Sequence, residues 1–129
     1  MNITQIKETS LYVQNLERTE TFYKEKLGFK MIAKEEGRHV FFKVGSSVLL
    51  CFLSGATQQD DKLPPHHGEG NLHIAFEVPQ SEYKAMKEQV QCWGITIEHE
   101  QHWFEDYYSF YFRDPDGHAL EIVPQGMWD

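Results

Sequence analysis

One pattern, a strand followed by a helix and three more strands, is written twice along this chain, and any fold proposed for it must accommodate that duplication. Thr9 to Val13 alternates Leu11 and Val13 with more polar neighbours, as a half-buried strand does. Asn15 is a preferred helix N-cap. Leu16, Phe22, Tyr23 and Leu27 then fall on roughly one helical face before Gly28, which predicts a helix over 16–27. Phe29–Lys34, His39–Val44 and Ser47–Leu53 are β-type runs separated by turn sequences at 35–38 and Gly45-Ser46. The grammar restarts at Leu72. His73–Val78 is a strand, and Ser81 is a candidate cap for a helix carrying Tyr83, Met86 and Val90 and ending at Gly94. Ile95–Glu100, Tyr107–Arg113 and His118–Val123 read as strands, the last two joined by the turn Asp114-Pro115-Asp116-Gly117. Val13 matches Val78 at an offset of 65, Gly28 matches Gly94 at 66, and Phe42 matches Phe112 at 70. One internal duplication with a longer second turn explains all three.

The 129 residues suit one domain, 1–129, built of two modules at about 1–56 and 70–129 with a loop over 57–69. The wider stretch 54–71, SGATQQDDKLPPHHGEGN, has no apolar period and serves as a connector or a binding loop. At 40% hydrophobic and 14% aromatic residues, a sizeable core is available. The longest apolar run, Val48–Leu53, is too short for a membrane helix, and Met1–Lys7 has no export signal, so a cytoplasmic protein is expected. A net charge of -8 without a Lys/Arg cluster disfavours nucleic acid. Cys51 and Cys92 have no metal-type spacing and read as thiols.

Two stretches, TSLYVQNLERTETFYKEKLGF at 9–29 and SFYFRDPDGHALEIV at 109–123, resemble the vicinal oxygen chelate superfamily, which includes glyoxalase I, fosfomycin-resistance thiol transferases, bleomycin-resistance proteins and extradiol dioxygenases. The resemblance implies an α+β fold of two tandem βαβββ modules forming a curved, partly open barrel around a metal site. Carried over by position, it implies ligands at Glu8, at His73 and at Glu121, with Glu8 and His73 each five residues before the valine of its strand. By the 70-residue offset, the first-half position matching Glu121 is Cys51. The cofactor implied is one divalent ion per site: Mn²⁺, Fe²⁺, Zn²⁺ or Ni²⁺, with Mg²⁺ a harder option. The partners implied are a small-molecule substrate and a second copy of the chain in a homodimer.

The chemistry of these side chains agrees. An imidazole and two carboxylates on strands supply three ligands and leave positions open for water and substrate oxygens. Glu121, between Leu120 and Ile122, is odd in a strand a closed core would fill with apolar groups. Glu8 also fits a solvated strand edge, and His73 a core histidine held by a carbonyl. Cys51 fits a small buried hydrophobe or a pocket contact, and His102 and Trp103 fit pocket lining or plain packing. His66 and His67 are expected exposed, His118 a turn residue, and Glu17, Glu20 and Glu25 solvated surface.

Two functions from different classes suit these residues. The first is a glyoxalase-like lyase or isomerase acting on a small molecule chelated through adjacent oxygens, with Glu8 or Glu121 as catalytic base and the ion as Lewis acid. A dioxygenase is disfavoured by two carboxylates with one imidazole, strict glyoxalase I by Cys51, and a phosphonate-directed thiol transferase by only three arginines. The second is a bleomycin-resistance-type binding protein, which the negative charge and Trp93, Trp103 and Trp128 would suit.

Overall fold

The computed structural model describes residues 1–58 and 63–129, so residues 59–62 of the expected connector lie outside the described residues. Two compact units divide the chain, Met1–Gly70 and Asn71–Asp129. The first contains β1 (Glu8–Val13), α1 (Leu16–Glu20), β2 (Lys30–Glu35), β3 (His39–Val44) and β4 (Ser47–Leu53), and the second β5 (His73–Val78), α2 (Tyr83–Cys92), β6 (His99–Phe104), β7 (Tyr107–Arg113) and β8 (Ala119–Pro124). The class is α+β, and each unit is βαβββ. The sheets have matching orders, β1-β4-β3-β2 and β5-β8-β7-β6, with β1 parallel to β4, β5 parallel to β8, and every other pair antiparallel.

Local sequence accounts for the helix ends. The Asn15 side chain accepts the Arg18 amide at 2.9 Å and caps α1. The expected helix over 16–27 is α-helical only to Glu20; Thr21–Lys26 widens to a π-helical turn, closed by a bond from the Leu27 amide to the Phe22 carbonyl. Phe22 and Tyr23 are buried there. Gly28 and Gly94 come after the two helices at φ 74° and 80°, which glycine adopts without a Cβ penalty. Ser81 does not cap α2: Pro79 leads into a 3₁₀ turn at Gln80–Glu82, and neither that turn nor α2 has a side-chain cap.

The third strand of the second unit is displaced. Ile95–Glu98 is not strand; the Ile95 amide bonds back to Val90 at the helix end, and β6 runs from His99 to Phe104. The exposed Glu20 expected on α1 instead pairs with Lys34 at 2.8 Å. His66 and His67 are half-buried rather than exposed, their rings 4.9 Å from Phe52 and 6.5 Å from Tyr12. His118 is more than a turn residue. It is buried, its Nδ1 accepts the Leu72 amide at 2.9 Å, and its own amide donates to Asp114 Oδ1 at 2.9 Å.

In each sheet one face carries the unit's core and the other a different set of side chains, because successive residues of a strand alternate. In the second unit Phe110, Phe112, Leu120 and Ile122 share the core face, and Tyr83 of α2 packs edge-on to Phe110 at 5.4 Å. In the first, Cys51 lies opposite Leu11 and Val40, both buried, and is itself fully buried. Cys92 is exposed. Titration with a thiol reagent is expected to give one fast-reacting group in the native protein, lost in Cys92→Ser, and two in denaturant.

Candidate metal centre

The parallel pairing of β5 with β8 sets His73 opposite Ala119 and Ala75 opposite Glu121, so His73 and Glu121 are diagonal neighbours on one face. His73 Nε2 lies 3.2 Å from Glu121 Oε1. His73 Nδ1 is 2.8 Å from the Ala119 carbonyl oxygen, which only accepts, so the Nδ1 proton is donated there. A neutral imidazole so held turns an Nε2 lone pair toward a carboxylate oxygen. Two acceptors this close need a proton or a cation between them. A proton on Nε2 gives an ion pair. A divalent ion fits equally, since two donors about 2.1 Å from one ion are 3.2 Å apart when they subtend about 100°. A histidine tied through its other nitrogen to a carbonyl is also the usual second layer of a metal site. The Glu121 side chain is 8% exposed and that of His73 51%, so a buried carboxylate stands beside an accessible imidazole.

Further side chains on this face were not singled out by sequence. Tyr111 is directly opposite Glu121, and His99 directly opposite Tyr111. Burial holds the Tyr111 hydroxyl above the usual phenol range, opposed by Ser109 beside it and reinforced by the facing Glu121 carboxylate. Ser109 is fully buried and accepts the Trp103 Nε1 proton at 2.9 Å. The signal is present in SFYF at 109–112. Its alternation sets Ser109 and Tyr111 apart from Phe110 and Phe112, on the face of Glu121.

The register corrects one expected residue, Cys51. Glu8 is opposite Val48 as His73 is opposite Ala119, so the two expected first ligands are equivalent positions. Ser10 is opposite Leu50 as Ala75 is opposite Glu121, which makes Leu50, not Cys51, the counterpart of Glu121. The DPDGH turn is one residue longer than its first-unit equivalent, so the offset of 70 becomes 71 after it. A one-residue slip changes the face. Cys51 therefore belongs to the core face, and the position matching Glu121 is a buried leucine. By the same register Phe41 matches Tyr111 and Ala33 matches His99. The polar row exists in the second unit alone.

Nor is His102 on this face. It pairs with Tyr108 on the opposite one, ring centroids 4.7 Å apart, and its Nε2 bonds the Glu105 carbonyl at 2.6 Å, tying the β6–β7 turn. Trp103 does share the face of Glu121, through Ser109. Glu8 is exposed at the first position of β1. Among the described residues, no three His, Cys, Asp or Glu side chains gather closely enough to hold one ion. Within the second unit the structure thus brings together His73 and Glu121.

Comparison with known proteins agrees with this architecture. The family profile described as Glyoxalase/Bleomycin resistance protein/Dioxygenase superfamily matches residues 5–122. A lactoylglutathione lyase from Agrobacterium tumefaciens has a similar structure, with a TM-score of 0.93 and 31% identity over 99% of this chain and 98% of that one. The glutathione transferase FosA of Serratia marcescens is 27% identical over 91% of this chain and 78% of its own, and the metallothiol transferase FosB of Lysinibacillus sphaericus 27% identical over 95% and 83%.

A carboxylate buried without a cation carries a desolvation cost that an apolar side chain of similar volume does not. Glu121→Leu, which installs the residue of the sister unit, is expected to keep or raise the melting temperature of metal-free protein while abolishing metal binding. Thermal unfolding beside a metal titration checks both.

Proposed function

Because this chain belongs to the glyoxalase/bleomycin resistance protein/dioxygenase superfamily, we propose that it is a metal-dependent, glyoxalase-like enzyme of the lyase or isomerase type, acting on a small molecule that presents two adjacent oxygens. The observation that carries this reading is the His73 imidazole set with Nε2 3.2 Å from the buried Glu121 carboxylate and its other ring nitrogen tied to the Ala119 carbonyl. The 31% identity to a lactoylglutathione lyase supports the lyase class over thiol transfer, and so does the scarcity of arginine, which phosphonate recognition favours. The metallothiol transferase FosB, a relative across 95% of this chain, supports a metal in the site.

His73 and Glu121 would hold one divalent ion, and Glu8 is proposed as the third ligand. Nitrogen and carboxylate donors suit Mn²⁺, Fe²⁺, Zn²⁺ or Ni²⁺. When bound, the ion supplies Lewis acidity to oxygens that gain negative charge. Glu8, exposed at the first position of β1, is the better placed carboxylate to take a proton from substrate, whereas buried Glu121 serves as an anchor. Trp103, 40% exposed, offers a flat apolar surface to the substrate on the same face.

The functional unit is proposed to be a homodimer in which Glu8 of one chain joins His73 and Glu121 of the other. The equivalence of Glu8 and His73 in register supports this, because a symmetric pairing of like modules puts equivalent strand positions to equivalent use. A second reading, ligand sequestration without catalysis, is favoured by one feature: Trp128 is 71% exposed and meets Trp103 edge-on at 5.6 Å, forming an open aromatic surface in a chain of net charge -8.

Titration of chelator-treated protein with Zn²⁺ or Mn²⁺ is expected to give about one ion per chain, with affinity reduced at least about 100-fold in His73→Ala. Equal affinity of parent and variant would reject the site. Mixing Glu8→Ala with His73→Ala under subunit exchange is expected to restore tight binding at one site per heterodimer. Failure despite demonstrated exchange would confine the ligands to one chain.

A further inference from the structure

His73 occupies a position where a ligand is hard to hold. It is the first residue of β5, an outer strand of its sheet, and its side chain is half exposed. Strand ends at a sheet edge open more readily than core strands do. Three hydrogen bonds fix this end, and all of them lead to the two residues that follow the DPDG turn. The Leu72 amide donates to His118 Nδ1 at 2.9 Å, the Ala119 amide donates to the Leu72 carbonyl at 2.8 Å, and the His73 ring bonds the Ala119 carbonyl through Nδ1 at 2.8 Å. Both backbone polar groups of Leu72 are thereby taken by consecutive residues, His118 and Ala119. The residue before His73 is held on both sides.

The turn that presents His118 is closed on Asp114. The Asp114 Oδ1 accepts the amides of Asp116 and His118, each at 2.9 Å, its carbonyl accepts the Gly117 amide at 3.0 Å, and its amide donates to the His118 carbonyl at 3.1 Å. Gly117, at φ 86°, lets the chain before Leu72 come close: a Cβ there would stand 3.3 Å from the Asn71 side chain. Asp114 and His118 are both buried, so water does not compete for these bonds. In the first unit Val48 is opposite Glu8 as Ala119 is opposite His73, which makes Ser47 the counterpart of His118. The Ser47 hydroxyl donates to the Ile6 carbonyl at 3.1 Å instead. The buried imidazole acceptor therefore accompanies the sheet that carries the His73–Glu121 pair.

We propose that His118 is a positioning residue, whose Nδ1 holds the Leu72 amide and so keeps the His73 imidazole beside Glu121 for metal ligation. The proposal rests on the metal reading of His73 and Glu121. It gives a role to a buried polar ring at a site that packing alone would fill with an apolar side chain.

Loss of an outer-layer partner lowers metal affinity roughly 10–100-fold. The test compares chelator-treated parent with His118→Asn, whose Oδ1 stands as many bonds from the backbone as Nδ1 and accepts the same amide, and with His118→Leu and His118→Gln, which offer no acceptor at that position. Each protein is measured for Zn²⁺ affinity and, without metal, for hydrogen exchange of the Leu72 amide and for melting temperature. His118→Leu and His118→Gln are expected to lose about 10-fold or more in Zn²⁺ affinity and to exchange the Leu72 amide faster. His118→Asn is expected to keep parent-like affinity and slow exchange, although the space vacated by the ring lowers its melting temperature. A merely structural role would make affinity follow melting temperature instead. That pattern, parent-like affinity in His118→Leu and His118→Gln, or loss of affinity in His118→Asn would overturn the positioning role while leaving His73 and Glu121 as ligands. A parent that binds no Zn²⁺ would overturn both.

Discussion

The parallel pairing of β5 with β8 is the constraint on which the site depends. It sets His73 and Glu121 on one sheet face as diagonal neighbours, and it places the Ala119 carbonyl where it takes the Nδ1 proton of His73. Backbone register thus orients the imidazole, and that orientation turns Nε2 toward the carboxylate. Parallel strands need a crossover, here supplied by α2, β6 and β7. Those elements do more than connect. α2 packs on the core face through Tyr83, and β7 brings Tyr111 directly opposite Glu121.

Duplication explains the scaffold, and divergence explains the site. Both units pair their first and last strands in parallel and reach the same strand order. The first fills the shared positions with Leu50, Phe41 and Ala33; the second with Glu121, Tyr111 and His99. A buried carboxylate is a poor choice for stability alone. Its occurrence in one copy, with a tyrosine directly opposite, is the kind of local departure from packing rules that accompanies function.

Much of this is legible from residue patterns. The duplicated strand–helix grammar, the Asn15 cap and the inward carboxylate between Leu120 and Ile122 all arise from alternation and turn chemistry, and the structure retains each. The failures have physical causes. β6 is a polar edge strand, HEQHWF, without alternation, while Ile95–Glu98 alternates yet starts by closing α2 through Ile95 and meets β7 only at Glu98. Cys51 matches Glu121 only by an offset that does not count the extra residue of the last turn, and in a period of two that error turns a core residue into a site residue. The hydrogen bond from Trp103 to Ser109 starts at a bulge whose position only the register reveals.

Anomalous diffraction from crystals soaked in Zn²⁺ or Mn²⁺ and measured at the metal edge tests the metal site most directly. The predicted result is one strong peak per chain within about 2.2 Å of both His73 Nε2 and a Glu121 carboxylate oxygen, with Nδ1 of the same ring still bonded to the Ala119 carbonyl. A peak that engages neither residue, or a fully soaked crystal in which His73 and Glu121 keep a direct ion pair with no metal between them, would contradict it.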